Sequence, residues 1–327
     1  MMAPAQNLLP GIPLVESPLF TRSLDQMGLT ENEREIAQQL HTRGYAVIDF
    51  PDADILARID RVRANLTPRF GSHLDDPASI KAIGDQRIQD AWTFDEDVMA
   101  IAASPGIVDL LSKLYGRRAF PFQTLNFPVG TQQHPHSDSI HFSSLPERFM
   151  CGVWLALEDI HPDAGPLLYL PGTHKWPIIS NAMIGRRGFK DVETPAQQPF
   201  EQAWMAMVDA VGIAPETFLA RKGQALIWAA NLLHGGSPQH DPTLTRWSQV
   251  THYYFDDCIY YTPAYSDEAV GQFAVRNIVD ISTGKPVANR YLGAPITAPS
   301  SARGKRGRWH KRLARVVMER FGGSARY

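Results

Sequence analysis

Apolar positions recur at helical spacing through the first hundred residues and crowd into short runs between 118 and 262. That change of rhythm divides the chain. Near the start, Thr30 stands three residues before Glu33, the spacing of a capping box. Ile36 and Leu40 then share a helical face, and Gly44 supplies a stop. Tyr45–Phe50 (YAVIDF) reads as a strand. Pro51-Asp52 opens a second helix, with Ile55, Ile59, Val62 and Leu66 at helical spacing.

From about 118 the segments RRAFPFQTLNF, FMCGVWLALEDI, PLLYLPGTH, QALIWAANLLH and RWSQVTHYYF are separated by Gly, Pro, Asp and Asn. Short, evenly spaced, aromatic-rich runs are the pattern of a β-sandwich or jelly roll. FMCGVWLALEDI is apolar at both alternating sets of positions, so it reads as a central strand covered on both faces. The fold class expected is therefore mainly β with flanking helices. Residues 1–29 read as an extended arm, 30–117 as a helical part and 118–262 as the jelly-roll core. Residues 263–327 form a C-terminal extension. An insertion at 176–220 carries a helix at Glu201–Val211, with Trp204, Met205, Met207 and Val208 as its apolar residues, serving either as a lid or as outer packing.

Composition narrows the class. With 44% apolar and 20% charged residues, the chain reads as a soluble globular protein. Cys151 and Cys258 form no CxxC pair, so a disulfide framework is not expected and a reducing cytoplasm is. The N-terminus lacks a basic start and is interrupted by prolines, unlike a signal peptide. No stretch reads as long and apolar enough to cross a bilayer. Charge is uneven: residues 303–327 hold nine Lys/Arg and one Glu, a net of +8, and subtracting that from the overall −2 leaves −10 for the remainder. In that tail Trp309, Leu313, Val316, Val317 and Phe321 share one helical face. A basic amphipathic helix suits an anionic membrane surface or docking on the acidic body. No other basic patch or motif points to nucleic acid.

The candidate chemistry is His136-Ser137-Asp138, then His234, then Arg246-Trp247-Ser248. Two imidazoles and one carboxylate can hold Fe(II) on one face and leave the opposite positions open. About one His-x-Asp triplet is expected by chance, and His161-Pro162-Asp163 reads as a surface turn. His136 and Asp138 are two apart, so an extended strand would point both to one side. His234 follows an apolar run and precedes Gly235-Gly236, where it can approach a metal without crowding. Arg246 can pair bidentately with a distal carboxylate, and Ser248 can donate to the same group. A structural ion pair is the competing role for Arg246.

HPHSDSIHF, GVWLALEDIHPDAGPLLYLPGTHKWP, LLHGGSP and RWSQ, in that order, resemble the phytanoyl-CoA dioxygenase-like branch of the Fe(II)/2-oxoglutarate oxygenases, across roughly residues 30–262. The resemblance implies a double-stranded β-helix (cupin-like) core, with Fe(II) bound by His136, Asp138 and His234. It implies that 2-oxoglutarate chelates the iron while its far carboxylate meets Arg246 and Ser248. Gln123 and Asn126 are further co-substrate candidates. It implies consumption of O2, with release of succinate and CO2. In halogenating members a small residue replaces the carboxylate ligand, so Asp138 favours hydroxylation of a small or medium-sized metabolite such as a lipid, sugar or natural product. His141, Trp154 and Lys175 are candidates for the substrate pocket, together with Tyr169 and Trp176, and His174 is expected to be structural. Two rivals stay open: a cupin-like metal-dependent isomerase or hydrolase without 2-oxoglutarate, and a non-catalytic jelly-roll binding module.

Overall fold

A computed structural model of the chain describes residues 7–70, 86–188 and 196–296. Helix α1 (Glu31–Arg43) starts on the expected capping box. Thr30 Oγ1 accepts from the Glu33 amide at 3.3 Å, and Glu33 Oε2 accepts from the Thr30 amide at 2.8 Å. It stops at Gly44, whose φ of 85° only glycine adopts cheaply. The strand β1 (Tyr45–Asp49) and helix α2 (Ile55–Leu66) follow as the spacing predicts. The buried residues of α2 are Ile55, Ile59, Val62 and Leu66.

Helices α3 (Glu96–Ala102) and α4 (Pro105–Tyr115) complete the helical layer. Taken together, Glu96–Tyr115 is long and apolar enough to cross a membrane by length and composition, which corrects the sequence expectation. The segment divides at Ala103-Ser104, however, and half of it is buried in the protein. Val98, Ile101, Ile107, Leu111 and Leu114 all belong to the main core, which accounts for its apolar character.

The principal sheet has six strands in the order β1-β8-β5-β10-β3-β2, every pairing antiparallel. Its other members are β2 (Ile88–Gln89), β3 (Ala119–Phe127), β5 (Met150–Ala156), β8 (Gln224–Ala229) and β10 (Ser248–Phe255). The run FMCGVWLALEDI supplies β5, which lies between β8 and β10 with every residue buried, as expected of a central strand. One face of the sheet carries Val153, Leu155, Ile227 and Tyr253 against the helices. The opposite face carries Trp154, Leu226, Trp228 and Val250 and meets a three-stranded sheet of order β7-β6-β9. These are β6 (Leu167–Tyr169), β7 (Glu216–Phe218) and β9 (His234–Gly236). Strands β4 (Ser143–Leu145) and β11 (Ile259–Tyr261) pair at one end. Two faces of period-two side chains closing on one another make the mainly β, cupin-like core.

Two segments differ from expectation, the N-terminal arm and the start of the insertion helix. Residues 7–29 are not an extended arm. They form short helical turns at Leu14–Glu16, Phe20–Ser23 and Leu24–Gln26 that bury Val15, Phe20 and Leu24 in the core. Glu16 also pairs with Arg148 at 2.7 Å. The insertion helix, α5 (Gln198–Val211), buries Phe200, Trp204 and Val208, while Met205 is 37% exposed. The extension after 262 forms two small hairpins, Ile278–Asp280 with Lys285–Val287 and Arg290–Tyr291 with Ala294–Pro295. The expected basic helix at 303–327 lies outside the described residues.

Candidate active site

The three candidate ligands meet inside the barrel. Their ligand atoms lie within 4.8 Å of one another and all three residues are buried. Asp138 Oδ1 is 3.7 Å from His136 Nε2, and its Oδ2 is 3.7 Å from His234 Nε2. The backbone brings them together differently from expectation. His136 and Asp138 do not share a strand. His136 forms an isolated bridge with His234, their amides and carbonyls exchanging bonds of 2.9 and 3.0 Å. Asp138 then begins a helical turn, Asp138–Ile140. Between them Ser137 donates to Asn231 Oδ1 at 3.0 Å, which ties the ligand loop to the segment leading into β9.

Each histidine is oriented by its own chain. His136 Nδ1 lies 3.0 Å from His134 O, and His234 Nδ1 lies 3.0 Å from Leu232 O. A carbonyl facing Nδ1 requires the proton there, which leaves Nε2 with a free lone pair toward Asp138. Burial, and then the neighbouring His234, push His136 down to about 3, so it stays neutral. For Asp138, burial pushes the carboxyl up. The imidazoles facing it, His234 first and then His252, outweigh burial and hold it below the usual carboxylate range. Two imidazole nitrogens and one carboxylate form a donor set that suits a divalent metal.

The same cavity, of about 80 Å³, runs from the triad to Arg246 between Leu125, Trp154, Trp228 and Val250. Arg246 is 3% exposed and forms no ion pair with any described residue. Its Nη1 donates to Gly165 O at 3.2 Å and its Nε has no partner. Burial lowers the guanidinium to about 10, so it is still charged at neutral pH. Ser248 Oγ and Trp154 Nε1, also buried, have no partners among the described residues either. The Trp154 ring lies 5.7 Å from the guanidinium carbon. Glu158 fixes the chain beside Arg246 without pairing with it. Glu158 Oε1 accepts from the Trp247 amide at 2.6 Å and Oε2 from Thr245 Oγ1 at 3.0 Å. Buried polar groups without partners are costly. A buried cation and two donors so placed fit the far carboxylate of a keto-diacid.

The remaining candidates separate. Gln123 lies on the inner face, its Oε1 3.1 Å from His252 Nδ1. Asn126 is corrected: it donates to Gln249 Oε1 at 3.3 Å on the sheet's other face, and Gln249 in turn donates to Val98 O of α3. Strand alternation forces this, since Asn126 is one residue out of phase with Leu125 and Phe127. Trp154 lines the Arg246 end of the cavity. His141 closes the helical turn that Asp138 begins and reaches Gln197 at 3.4 Å, at the start of the insertion helix. Lys175 is also corrected. It lines a separate cavity of about 560 Å³ with Glu16, His41 and Arg148, walled by the N-terminal turns. Tyr169 packs on Tyr45 instead of lining the metal cavity. Trp176 stays on the periphery, packed against the cluster around α5. His174 is structural: its Nε2 sits 3.2 Å from His41 O, and a Cβ on Gly44 would lie 2.5 Å from its Nδ1.

Two residues of the site escaped sequence reading. His252 Nε2 lies 3.5 Å from Asp138 Oδ2, and Trp228 Nε1 donates to that oxygen at 2.9 Å. Period-two counting along β10 from Ser248 would have placed His252 inside the barrel. No comparable signal marked Trp228 among the apolar residues of its strand.

Comparison with known proteins agrees with this geometry. Residues 28–243 match the family Phytanoyl-CoA dioxygenase (PhyH). A probable phytanoyl-CoA dioxygenase of Caenorhabditis elegans is 34% identical over 85 residues, which cover 23% of this chain and 27% of that relative's length. Among solved structures, the epimerase SnoN in complex with Fe3+, alpha ketoglutarate and nogalamycin RO has a TM-score of 0.54 at 17% identity, covering 82% of this chain and 96% of that one. EctD from S. alaskensis with 2-oxoglutarate and 5-hydroxyectoine scores 0.52 at 18% identity, covering 81% and 89%. The carbocyclase SnoK from nogalamycin biosynthesis scores 0.53 at 16%, covering 83% and 95%. These likenesses establish the shared fold, and the extent of the family match carries the assignment. The chain belongs to the phytanoyl-CoA dioxygenase (PhyH) family.

Proposed function

We propose that the protein is an Fe(II)- and 2-oxoglutarate-dependent dioxygenase that hydroxylates a small or medium-sized metabolite. The observation that carries this reading is the buried, unpaired Arg246 at one end of a cavity whose other end is the His136–Asp138–His234 cluster. His136, Asp138 and His234 would hold the ion. Bound Fe(II) would couple oxidative decarboxylation of 2-oxoglutarate, to succinate and CO2, to oxidation of the substrate by O2. Arg246 would bind the far carboxylate of the co-substrate through charge-assisted hydrogen bonds, with Ser248 Oγ and Trp154 Nε1 completing its shell. Leu125, Phe127 and Val250 exclude water around the chain of the diacid.

Asp138 keeps a carboxylate where a halogenating relative would carry a small residue, which supports hydroxylation. A cupin-like isomerase or hydrolase without 2-oxoglutarate would leave Arg246, Ser248 and Trp154 without partners, so the orphaned polar atoms favour the oxygenase. Cys151 and Cys258, both free and buried, support placement in the cytoplasm.

The test is succinate formation by the purified protein with Fe(II), 2-oxoglutarate and O2. Wild type is expected to release succinate slowly without substrate and faster with a panel of small metabolites. The Asp138→Ala variant is expected to release none. Equal succinate release from wild type and D138A would overturn the reading.

A further inference from the structure

Asp138 is the sole acid of the triad, and its two oxygens are not equivalent. Oδ2 accepts the indole N–H of Trp228 at 2.9 Å and lies 3.5 Å from His252 Nε2. Oδ1 faces His136 Nε2 at 3.7 Å and carries no comparable hydrogen bond from any described residue. Trp228 is 2% exposed, so this bond is shielded from water.

The indole is seated by an unusual residue in the opposite strand. Gly152 is the cross-strand partner of Trp228 in the β5–β8 ladder. A Cβ at position 152 would collide with the six-membered ring of the Trp228 indole, so the indole lies over the bare face of the glycine. Glycine inside a strand weakens it, and its usual reason is the close approach of another group. Here the approaching group is the ring that reaches the carboxylate. On the other side, His252 is steadied through its Nδ1, 3.1 Å from Gln123 Oε1.

We propose that Trp228, seated by Gly152 and assisted by the His252–Gln123 pair, is a positioning residue that engages Asp138 Oδ2 and presents Oδ1 alone to the metal. The inference rests on the metal reading above. Its chemical consequence is a matter of counting donors. Two imidazoles and one oxygen would leave open positions on a bound ion for the co-substrate and O2. A carboxylate chelating through both oxygens would remove one of them. An indole N–H fixed on one oxygen disfavours that chelation, because the bond would have to break in a buried site.

The test uses the full chain and Mn(II), a redox-silent probe whose free ion is read by electron paramagnetic resonance. W228F keeps a ring in place but removes the N–H. It is expected to weaken Mn(II) binding about 10- to 100-fold, the usual cost of losing a group that orients a metal ligand. Its 2-oxoglutarate affinity at saturating Mn(II) should stay within about threefold of wild type, because the Arg246 end is untouched. H252Q is expected to weaken Mn(II) binding by a smaller factor and carries the test if W228F does not fold. A folded W228F that binds Mn(II) within twofold of wild type overturns the proposal, and so does a tenfold loss of 2-oxoglutarate affinity at saturating metal. Absence of Mn(II) binding by wild type, or equal binding by D138A, overturns the metal reading instead.

Discussion

The two ends of the cavity are built on opposite principles. At the metal end the outward ring nitrogens of His136 and His234 are partnered by carbonyls, and Asp138 Oδ2 is engaged by Trp228. Those side chains are locked before any ligand arrives. At the other end Arg246 Nε, Ser248 Oγ and Trp154 Nε1 are buried with no partner among the described residues. Folding has oriented one set and left the other unsatisfied. The contrast supports the proposed roles: the metal end would be preorganised for an ion, and the arginine end would hold unsatisfied charge that an incoming carboxylate could meet.

The largest effect expected is at the metal end. D138A removes the one acid among the three candidate ligands and should weaken Mn(II) binding by more than about 100-fold, measured by titration of the free ion. At the other end, R246M should weaken 2-oxoglutarate binding about 100-fold by calorimetry. It should leave the melting temperature of the ligand-free protein equal or higher, since an unpaired buried charge is gone. A substantial loss of ligand-free stability in R246M would mean that the guanidinium supports the fold, and the contrast would fail.

Dependence on pH separates the ends further. Arg246 titrates near 10, so 2-oxoglutarate affinity should be retained below that pH and lost as pH rises through it. His136 and His174 are held neutral by burial, at about 3 and about 4, whereas an unfolded histidine takes up its proton near 6.5. The unfolded chain therefore binds more protons in that window. Stability of the metal-free protein should fall as pH drops below 6.5, by a few kcal/mol at pH 4, measured by denaturant unfolding. The smallest effect is expected at Ser248. S248A removes one neutral donor and should cost about 3- to 10-fold in 2-oxoglutarate affinity. N126L, on the sheet's other face, should leave that affinity unchanged, and an equal loss in both would break the assignment of faces.

Much of this site was legible because its chemistry sits in short, ordered motifs. His136, Asp138, His234 and Arg246 were found from residue type and order, and α1, α2, β1 and β5 from periodicity and caps. What the sequence hid has physical causes. Asn126 was misplaced because an apolar run buried on both faces does not reveal its phase, and one residue of slip changes the face. Lys175 was misplaced because its cavity depends on how residues 11–18 fold back, a contact distant in sequence. The turn at Asp138 replaced an expected strand because bridge formation with His234 stops after one residue pair. Trp228 was hidden because an indole in an apolar strand looks like core until its N–H is seen to meet a carboxylate.

The central claim is that one ligand spans both ends, and calorimetric titration of 2-oxoglutarate with and without Mn(II) tests it most directly. The account predicts that Mn(II) tightens 2-oxoglutarate binding at least tenfold, and that 2-oxoglutarate tightens Mn(II) binding by the same factor. Binding of the diacid that is indifferent to the metal, or no binding in its presence, would contradict it.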